Sequence, residues 1–532
     1  MADHRSDAVP EEVISKLIED ALADPGLPRA QPTEAFWQIP ASDISTIQSA
    51  ELPSKTKYAI IGSGITACSV AQNILTLTRS DPDANVTVFE ARTLCSGATG
   101  RNGGHLLSPM PEEFTRIEKY FGVKEATGIA EFANMTLDRM HGLNRQDDLA
   151  TGFGAEVRRV RSVCGYWDEE IFEAAKQSHA RYEQCLPKKS GDHEAFGPEE
   201  AREKFNMKDA VGVITSSAGA FWPYRLITGL FKRLLEQYTG RFSFETETPV
   251  TSVKHHPASN AEYPYILTTP RGTIRATMVI HCTNGWTGHL LPKLRGKIFP
   301  LRATMSVQAA GPDFQNEGNH KSWSTIDKPT YDAADNTLSY GLYYITQNAH
   351  TGDIFIGGEK QFATEVLSSD DTNISTISKD KLESVLPTIF EQGWPQGGKP
   401  KVKSIWSGIM GFTPDHLPWV GQIPETYTEC GANGEYIAAG FNGYGMPLCW
   451  GCGEALAKMV VGENENFEKN AWLSSLPGSF LITKRRLESP YTSIEAGIAG
   501  LLEQPLTWAA TLRLLWQGLR SIMHQNLLAK LG

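Results

Sequence analysis

Residues 58–67 read Y-A-I-I-G-S-G-I-T-A, and a short way on residues 95–105 read C-S-G-A-T-G-R-N-G-G-H. The first stretch is a short apolar run that breaks at a glycine and continues with helical periodicity. That pattern predicts a buried strand over 58–62, a tight turn, and a helix to about Thr78. Gly62-Ser63-Gly64-Ile65-Thr66-Ala67 fits G-x-G-x-x-G/A. The first glycine makes the turn, the second lets backbone approach a pyrophosphate, and the last position needs only a small residue. The phosphates of such a ligand sit at the helix N-terminus, where unpaired N–H groups and the helix dipole favour anions. Val86–Phe89 is a second apolar strand and leads into Glu90, 26 residues beyond Gly64. A carboxylate there accepts hydrogen bonds from a ribose diol and repels a 2′-phosphate, which disfavours NADP.

The second stretch separates the remaining dinucleotides. Ser96-Gly97-Ala98-Thr99-Gly100-Arg101-Asn102-Gly103-Gly104 has four glycines in nine residues and cannot be a regular helix or strand. It offers hydroxyls, backbone N–H groups and one cation. That set suits a further contact with the pyrophosphate and the start of a long, flat ring system.

The rest of the chain sets the frame. It has 532 residues, 40% hydrophobic and 21% charged, an ordinary globular balance that can bury a large core. The net charge is −11 with no basic run, which argues against nucleic acid as a partner. Eight scattered cysteines read as reduced thiols. A polar, acidic N-terminus and the lack of any 18-residue apolar run point to a cytoplasmic protein without a membrane span. The chain ends A-K-L-G, which spoils a terminal peroxisomal tripeptide. Residues 1–57 read as an extension with a helix at Glu11–Ala23, then Pro-broken extended chain holding Trp37. Helical periodicity marks 112–145, 168–185, Arg225–Tyr238 and 379–390; short strands are expected over 241–281, and longer ones at 300–310, 339–347 and 353–358.

G-S-G-I-T-A, then F-E-A-R, then S-G-A-T-G-R-N-G-G resembles the FAD-dependent D-amino-acid oxidase superfamily, in the form nearest its γ-glutamylputrescine oxidoreductase branch and fungal relatives. Later segments agree in order. Pro249–Val253 is similar to the strand whose valine backbone meets adenine. Val279–Trp286, with Thr283, Asn284, Gly285 and Trp286, resembles V-V-x-A-x-G-x-W. Thr413–Gly421, with Asp415, followed by Gly440-Phe441-Asn442-Gly443-Tyr444-Gly445-Met446, resembles the C-terminal signature. The likeness runs over roughly residues 55–462.

The resemblance implies an α/β protein: a Rossmann-like FAD-binding domain with a central parallel sheet, and a second, mixed-sheet substrate domain. The expected division is 1–57 extension; 58–150, 226–299 and 401–462 FAD-binding; 151–225 and 300–400 substrate; 463–532 a second extension. FAD would contact Gly62, Ser63, Gly64, Ile65, Thr66, Glu90, Ala91, Arg92, Ser96, Thr99, Gly100, Arg101, Asn102, Gly103, Gly104, Val250, Thr283, Asn284, Gly285, Trp286, Asp415, Gly440, Asn442, Gly443, Tyr444, Gly445 and Met446. Gly443 and Gly445 let backbone approach a planar ring, and a helix starting near Met446 would aim its N-terminus at the flavin. The implied reaction is oxidation at a carbon bearing an amine or amino-acid nitrogen, with hydride passing to flavin N5. Tyr344, His105 and Tyr444 are the candidate catalytic residues, with Tyr343, Trp222, Tyr224 and Arg302 as further pocket candidates.

Two relatives' flavin attachments are missing. Gly408 stands where the sarcosine-oxidase branch has its attaching cysteine, and Arg101 where the dimethylglycine-dehydrogenase branch has its histidine, so FAD is expected to be non-covalent. Phe355 falls where the same oxidase branch has a lysine that helps oxygen react, which leaves oxygen open as the acceptor. Cys449-Trp450-Gly451-Cys452 has redox-dithiol spacing but reads as helix packing, and no metal-ligand set accompanies it. Residues 506–528 read as an amphipathic helix that docks on the chain itself, makes a homodimer contact or lies on a membrane surface. A flavin hydroxylase or NAD-linked oxidoreductase, and a non-catalytic flavin-binding interaction protein, are the alternative functions.

Overall fold

The strand Lys55–Ile61 is almost wholly buried along its length, as a central strand of a parallel sheet must be. It pairs in parallel with Gly272–His281 on one side and Val86–Phe89 on the other. Phe242–Glu245 extends the sheet beyond Val86–Phe89, and Glu435–Ala439 extends it beyond Gly272–His281, both in parallel. Trp419–Gln422 closes that side antiparallel, and the hairpin Ser252–His255/Tyr265–Thr269 pairs with the first half of the Gly272 strand. The carboxyl ends of the parallel strands, residues 61, 89, 245 and 281, therefore lie along one edge, where ligands of open α/β sheets bind. The computed structural model describes residues 7–143, 154–358, 360–395, 398–462 and 476–503; the helix expected at 506–528 lies outside them.

A second, nine-stranded mixed sheet runs in the order Lys401–Phe412, Phe299–Ala309, Ile354–Gly357, Leu342–Gln347, Lys321–Ile326, Arg158–Tyr166, Gly212–Ala220 and His105–Leu106, with Glu194–Phe196 also paired to Gly212–Ala220. The strand Lys401–Phe412 belongs here by eleven register pairs to Phe299–Ala309. The boundary drawn at residue 400 thus cuts off an edge strand of the second sheet, and the one at 150 leaves the pair His105–Leu106 on the wrong side. The stretch 151–225 is expected to feed this sheet, but its periodicity does not locate the strands Arg158–Tyr166 and Gly212–Ala220. Their arginines, serines and small residues carry little β signal, yet both are mostly buried because they lie inside a wide sheet.

Helices join the two sheets. Ile65–Leu77 packs against Cys449–Val460 so closely that a Cβ on Gly453 would lie 2.6 Å from Ser69 Cβ. The periodic stretch 112–145 is two helices, Met110–Phe121 and Val123–Leu143, divided at Gly122. The last helix of the signature begins at Cys449, later than the expected Met446, after a turn over 446–448. The described parts of both terminal extensions belong to the fold. Glu11–Leu22 and Ile494–Glu503 bring Leu17, Ala21, Ile494 and Ile498 into one apolar cluster with Phe299 and Leu301 of the second sheet.

Candidate active site

The two glycine loops meet at the carboxyl edge of the first sheet. Gly62 has φ +107°, and a Cβ there would stand 2.5 Å from the Cys282 carbonyl oxygen, so only glycine fits between the two neighbouring strands. The Ile65 amide, first in its helix, donates to Thr99 Oγ1 at 3.1 Å. The Cys95 amide donates to Ser63 Oγ at 2.8 Å, and Ser63 Oγ donates to Glu90 Oε2 at 2.5 Å. Glu90 Oε1 accepts from the Arg92 amide at 2.9 Å. The acid expected to hold a ribose is thereby fixed in place, with a further lone pair on each oxygen. Val250 packs with Ile61 and Phe89, and the Thr248 amide donates to the Glu90 carbonyl at 2.8 Å.

The second loop is polarised. Its carbonyls are turned toward donors: Ser96 accepts from Arg101 Nε, Gly100 from Gln38, Arg101 from the Trp406 indole, Asn102 from the Trp37 indole, and Gly103 from Thr346. Asn102 Nδ2 serves Ala98 and Thr99. Among the described residues, the amides of Gly97, Ala98 and Thr99 have no protein acceptor. Together with the amides of Thr66 and Ala67 in the first turn of the Ile65 helix they make an array of donors suited to a pyrophosphate. Trp286 Nε1 is buried without a partner beside this loop, its ring 3.9 Å from where a Gly97 Cβ would be. These residues fit FAD.

The flavin-side segments are tied together by the strand Lys401–Phe412. A Cβ on Gly411 would collide with Asn284 Oδ1, which accepts from the Gly440 amide at 3.0 Å. The Asn442 amide bonds the Gly411 carbonyl, and Asn442 Oδ1 accepts from the Thr413 amide at 2.8 Å. Thr283 and Thr287 share a hydroxyl contact of 2.9 Å, and a Cβ on Gly285 would meet the Met410 carbonyl. Tyr444 is 42% exposed. Yet its phenol is pushed up in pKa, first by burial and then by the charges of Glu113 and Glu112 on the helix Met110–Phe121. Gly443 is also exposed, and Gly445 and Met446 are partly so.

His105 and Tyr344 come together around the end of the second loop. A Cβ on Gly103 would lie 2.8 Å from the Tyr344 ring. His105 bonds the backbone of Ile345, the next residue along, and its Nε2 is buried without a partner. Burial, opposed by the Ile345 bond, takes its pKa down to about 4, so the ring is neutral at neutral pH.

Other candidates are elsewhere. Both Asp415 oxygens are held by Arg486, at 2.8 and 2.9 Å, which makes this acid an anchor for the C-terminal extension rather than the cofactor contact expected of it. The Arg101 guanidinium is buried among the Ser96 and Ser407 carbonyls and Thr33, and Arg92 pairs with Asp371 at 2.9 Å; neither supplies the free cation the second loop promised. Trp222 donates to the Trp37 carbonyl and the Tyr224 hydroxyl accepts from the Ser42 amide, so both brace the N-terminal extension. Arg302 pairs with Glu365 at 2.9 Å. Tyr343 packs in the cluster with Trp323 and Phe390, away from that of Tyr344. Phe355 stacks on Trp37, ring centroids 4.0 Å apart and nearly parallel. Sequence reasoning missed Asp371, Thr33, Gln38 and Trp406, which are distant in sequence from the loops they serve; a lone tryptophan in a polar extension was the one available signal.

A family model described as FAD dependent oxidoreductase (DAO) matches residues 57–459. The chain is 20% identical to gamma-glutamylputrescine oxidoreductase of Escherichia coli (strain K12) over 485 residues, which is 89% of this chain and 98% of that protein. Among solved structures it is similar to glycine oxidase from Geobacillus kaustophilus, with TM-score 0.57 and 17% identity over 81% of this chain and 99% of that one. It is likewise similar to L-proline dehydrogenase from P. horikoshii, with TM-score 0.55 and 19% identity over 78% and 95%. A parallel sheet carrying the Gly62 turn, a donor-lined second loop and a family match over most of the length converge: the chain belongs to the DAO family of FAD dependent oxidoreductases, and its cofactor is FAD.

Proposed function

We propose that this protein oxidises the C–N bond of an amine or amino acid, with FAD lying across the Gly62 and Ser96–Gly104 loops and its ring system toward Tyr344 and Tyr444. The carrying observation is the neutral, buried and unpartnered His105 Nε2 next to Gly103–Gly104. Relatives named for gamma-glutamylputrescine, glycine and L-proline support the substrate class.

Bound FAD supplies an acceptor for the electron pair and the hydrogen of the substrate C–H bond. The chain's own residues bind and orient. Glu112, Glu113 and Arg116 near Tyr444 sum to a net negative field, which draws in an ammonium group. His105 Nε2 accepts a hydrogen bond from the amine nitrogen; being neutral above its pKa of about 4, it does not repel the cation. Tyr344 and Tyr444 stand toward the ring system and limit water there. The bound ammonium first loses one nitrogen proton to solvent, and the neutral amine then gives up its C–H hydrogen with the electron pair and leaves as an iminium cation, which sheds a second proton to solvent to become the imine.

The test is anaerobic titration of purified protein with a panel of primary and secondary amines and amino acids, following the visible flavin bands. Bleaching by one class is expected, with His105→Gln slowing it while leaving the flavin bound. A flavin that no amine reduces refutes the reading.

A further inference from the structure

The family match begins at residue 57, yet the chain before it reaches into the cofactor loops. Trp37 Nε1 donates to the Asn102 carbonyl at 2.5 Å, and Gln38 Nε2 donates to the carbonyls of Gly100 at 3.2 Å and Ser96 at 3.4 Å. Thr33 Oγ1 accepts from Arg101 at 3.3 Å and from the Ser407 amide at 2.9 Å, and it donates to the Asp371 carbonyl at 2.9 Å. The Ser45 carbonyl accepts from the Leu94 amide at 2.9 Å.

The segment is itself clamped. Trp37 lies flat on Phe355 and edge-on to Trp222, and it is 4% exposed. A Cβ on Gly100 would lie 2.9 Å from Gln38 Nε2, and one on Gly104 would lie 3.1 Å from the Trp37 ring. The glycines of the second loop thus admit the extension as well as any ligand.

The consequence follows from backbone geometry. A peptide unit carries its N–H and C=O in opposite directions, so a loop that offers amides to an anion must bury its carbonyls against donors. Glycine-rich chain has no side chains to do this and many other conformations to adopt. Trp37 and Gln38 supply three of the required donor contacts from outside the family domain.

We propose that residues 33–38 are a built-in strap that holds the second glycine loop in its FAD-binding conformation, with Trp37 and Gln38 as positioning residues for the cofactor. The proposal rests on FAD occupying the two glycine loops. A chain with the strap weakened keeps its fold but presents a loop whose amides are no longer aligned.

The experiment compares full-length wild type with Trp37→Phe, Gln38→Met and the double variant, each stripped of flavin. Trp37→Phe keeps the aromatic stack and removes only the indole donor; Gln38→Met keeps length and removes the amide. FAD dissociation constants come from quenching of flavin fluorescence. Thermal midpoints are measured with and without FAD. The double variant is expected to bind FAD about tenfold more weakly, the low end of the scale for three lost positioning contacts, with each single variant in between. The midpoint without FAD stays close to wild type while the FAD-dependent rise shrinks, which a merely structural role does not produce. Affinities of all variants within about twofold of wild type overturn the strap. So does a parallel fall of the flavin-free midpoint that accounts for the whole affinity loss. A wild type that takes up no FAD refutes instead the cofactor assignment on which the strap rests.

Discussion

Asp371 is the residue whose loss should be felt most widely. Its carboxylate is fully buried and accepts two contacts from Arg92 Nη1, at 3.1 and 2.9 Å, with Arg101 Nε at 3.9 Å. Arg92 follows Glu90 on the first nucleotide segment and Arg101 lies in the second, and both side chains are at most 5% exposed. One anion thus faces two desolvated cations. Asp371→Asn keeps the shape and removes the negative charge between them. Deleting one partner of a buried ion pair costs about 3–5 kcal/mol, because the opposite charge is left without compensation. Unfolding entropy near the midpoint is about 2.1 cal/mol/K per residue, or about 1.1 kcal/mol/K for 532 residues unfolding together. The expected fall in melting temperature is therefore about 3–5 °C, read by calorimetry on FAD-saturated protein. Replacing Arg92 by Met in the Asp371→Asn background removes one of the stranded charges, so the double variant should melt above the sum of the two single losses. An Asp371→Asn midpoint within about 1 °C of wild type, or strict additivity in the double variant, refutes the reasoning.

Arg486 holds both oxygens of Asp415, donates to the carbonyls of Leu417 and Pro418, and stacks on Trp419 at 3.7 Å. Arg486→Met should loosen the C-terminal extension and speed proteolysis within 476–503, seen by mass spectrometry; unchanged cleavage counts against the anchor. Burial holds His105 at a pKa of about 4 and His416 at about 3, both below the ordinary 6.5. The unfolded chain then binds protons that the folded one refuses, so stability is complete above pH 6.5 and falls as pH drops below it, by up to about 1.4 kcal/mol per pH unit for each histidine. His105→Gln should flatten the melting-temperature profile between pH 6.5 and 5, where carboxylates contribute little; an unaltered slope refutes it. Burial pushes Cys449 up to about 12 and holds Cys452 well above the ordinary thiol value. Neither thiol should react with iodoacetamide in the native protein at pH 8, and Cys449→Ser with Cys452→Ala should leave flavin reduction intact, whereas rapid labelling of either would restore a redox role for the C-x-x-C.

Much of the first domain was legible because its signals are local. A short apolar strand, a glycine turn, a helix and a second strand ending in an acid occupy residues 55–90, and each reports on its own neighbours. The helix Glu11–Leu22 and the strand Val86–Phe89 show the same for simple periodicity. The second sheet was harder to read. Arg161 in Arg158–Tyr166 looks like surface until it meets Asp192 and Thr215 from other elements. Gly212–Ala220 has too few large side chains to show alternation, and a nine-stranded sheet supplies its burial from outside. Residues 401–412 group by sequence with the FAD-binding part because the C-terminal signature follows them directly, while the hydrogen bonds of the strand Lys401–Phe412 run to a strand about a hundred residues earlier.

The site divides along the same line. Backbone requirements are written in sequence, since a glycine at φ +107° facing a neighbouring carbonyl can be nothing else. Charge is a poorer guide. Arg101 stands in the second glycine loop, and by composition it is the natural counter-ion for an anion there; the structure instead leaves the Gly97–Thr99 amides unpaired and sets the guanidinium beside Asp371, 270 residues away. This arrangement has a physical logic. Amide dipoles fixed in a loop bind a pyrophosphate without a mobile cation that must be desolvated each time the cofactor enters. The arginine then serves better behind the loop, donating to the Ser96 and Ser407 carbonyls, than in front of it. A free cation in the first contact layer would make FAD affinity fall steeply with salt, whereas buried dipoles would not. Weak dependence of FAD affinity on ionic strength between about 0.05 and 0.5 M is the outcome this division of labour requires, and a steep one would return Arg101 or Arg92 to the phosphates.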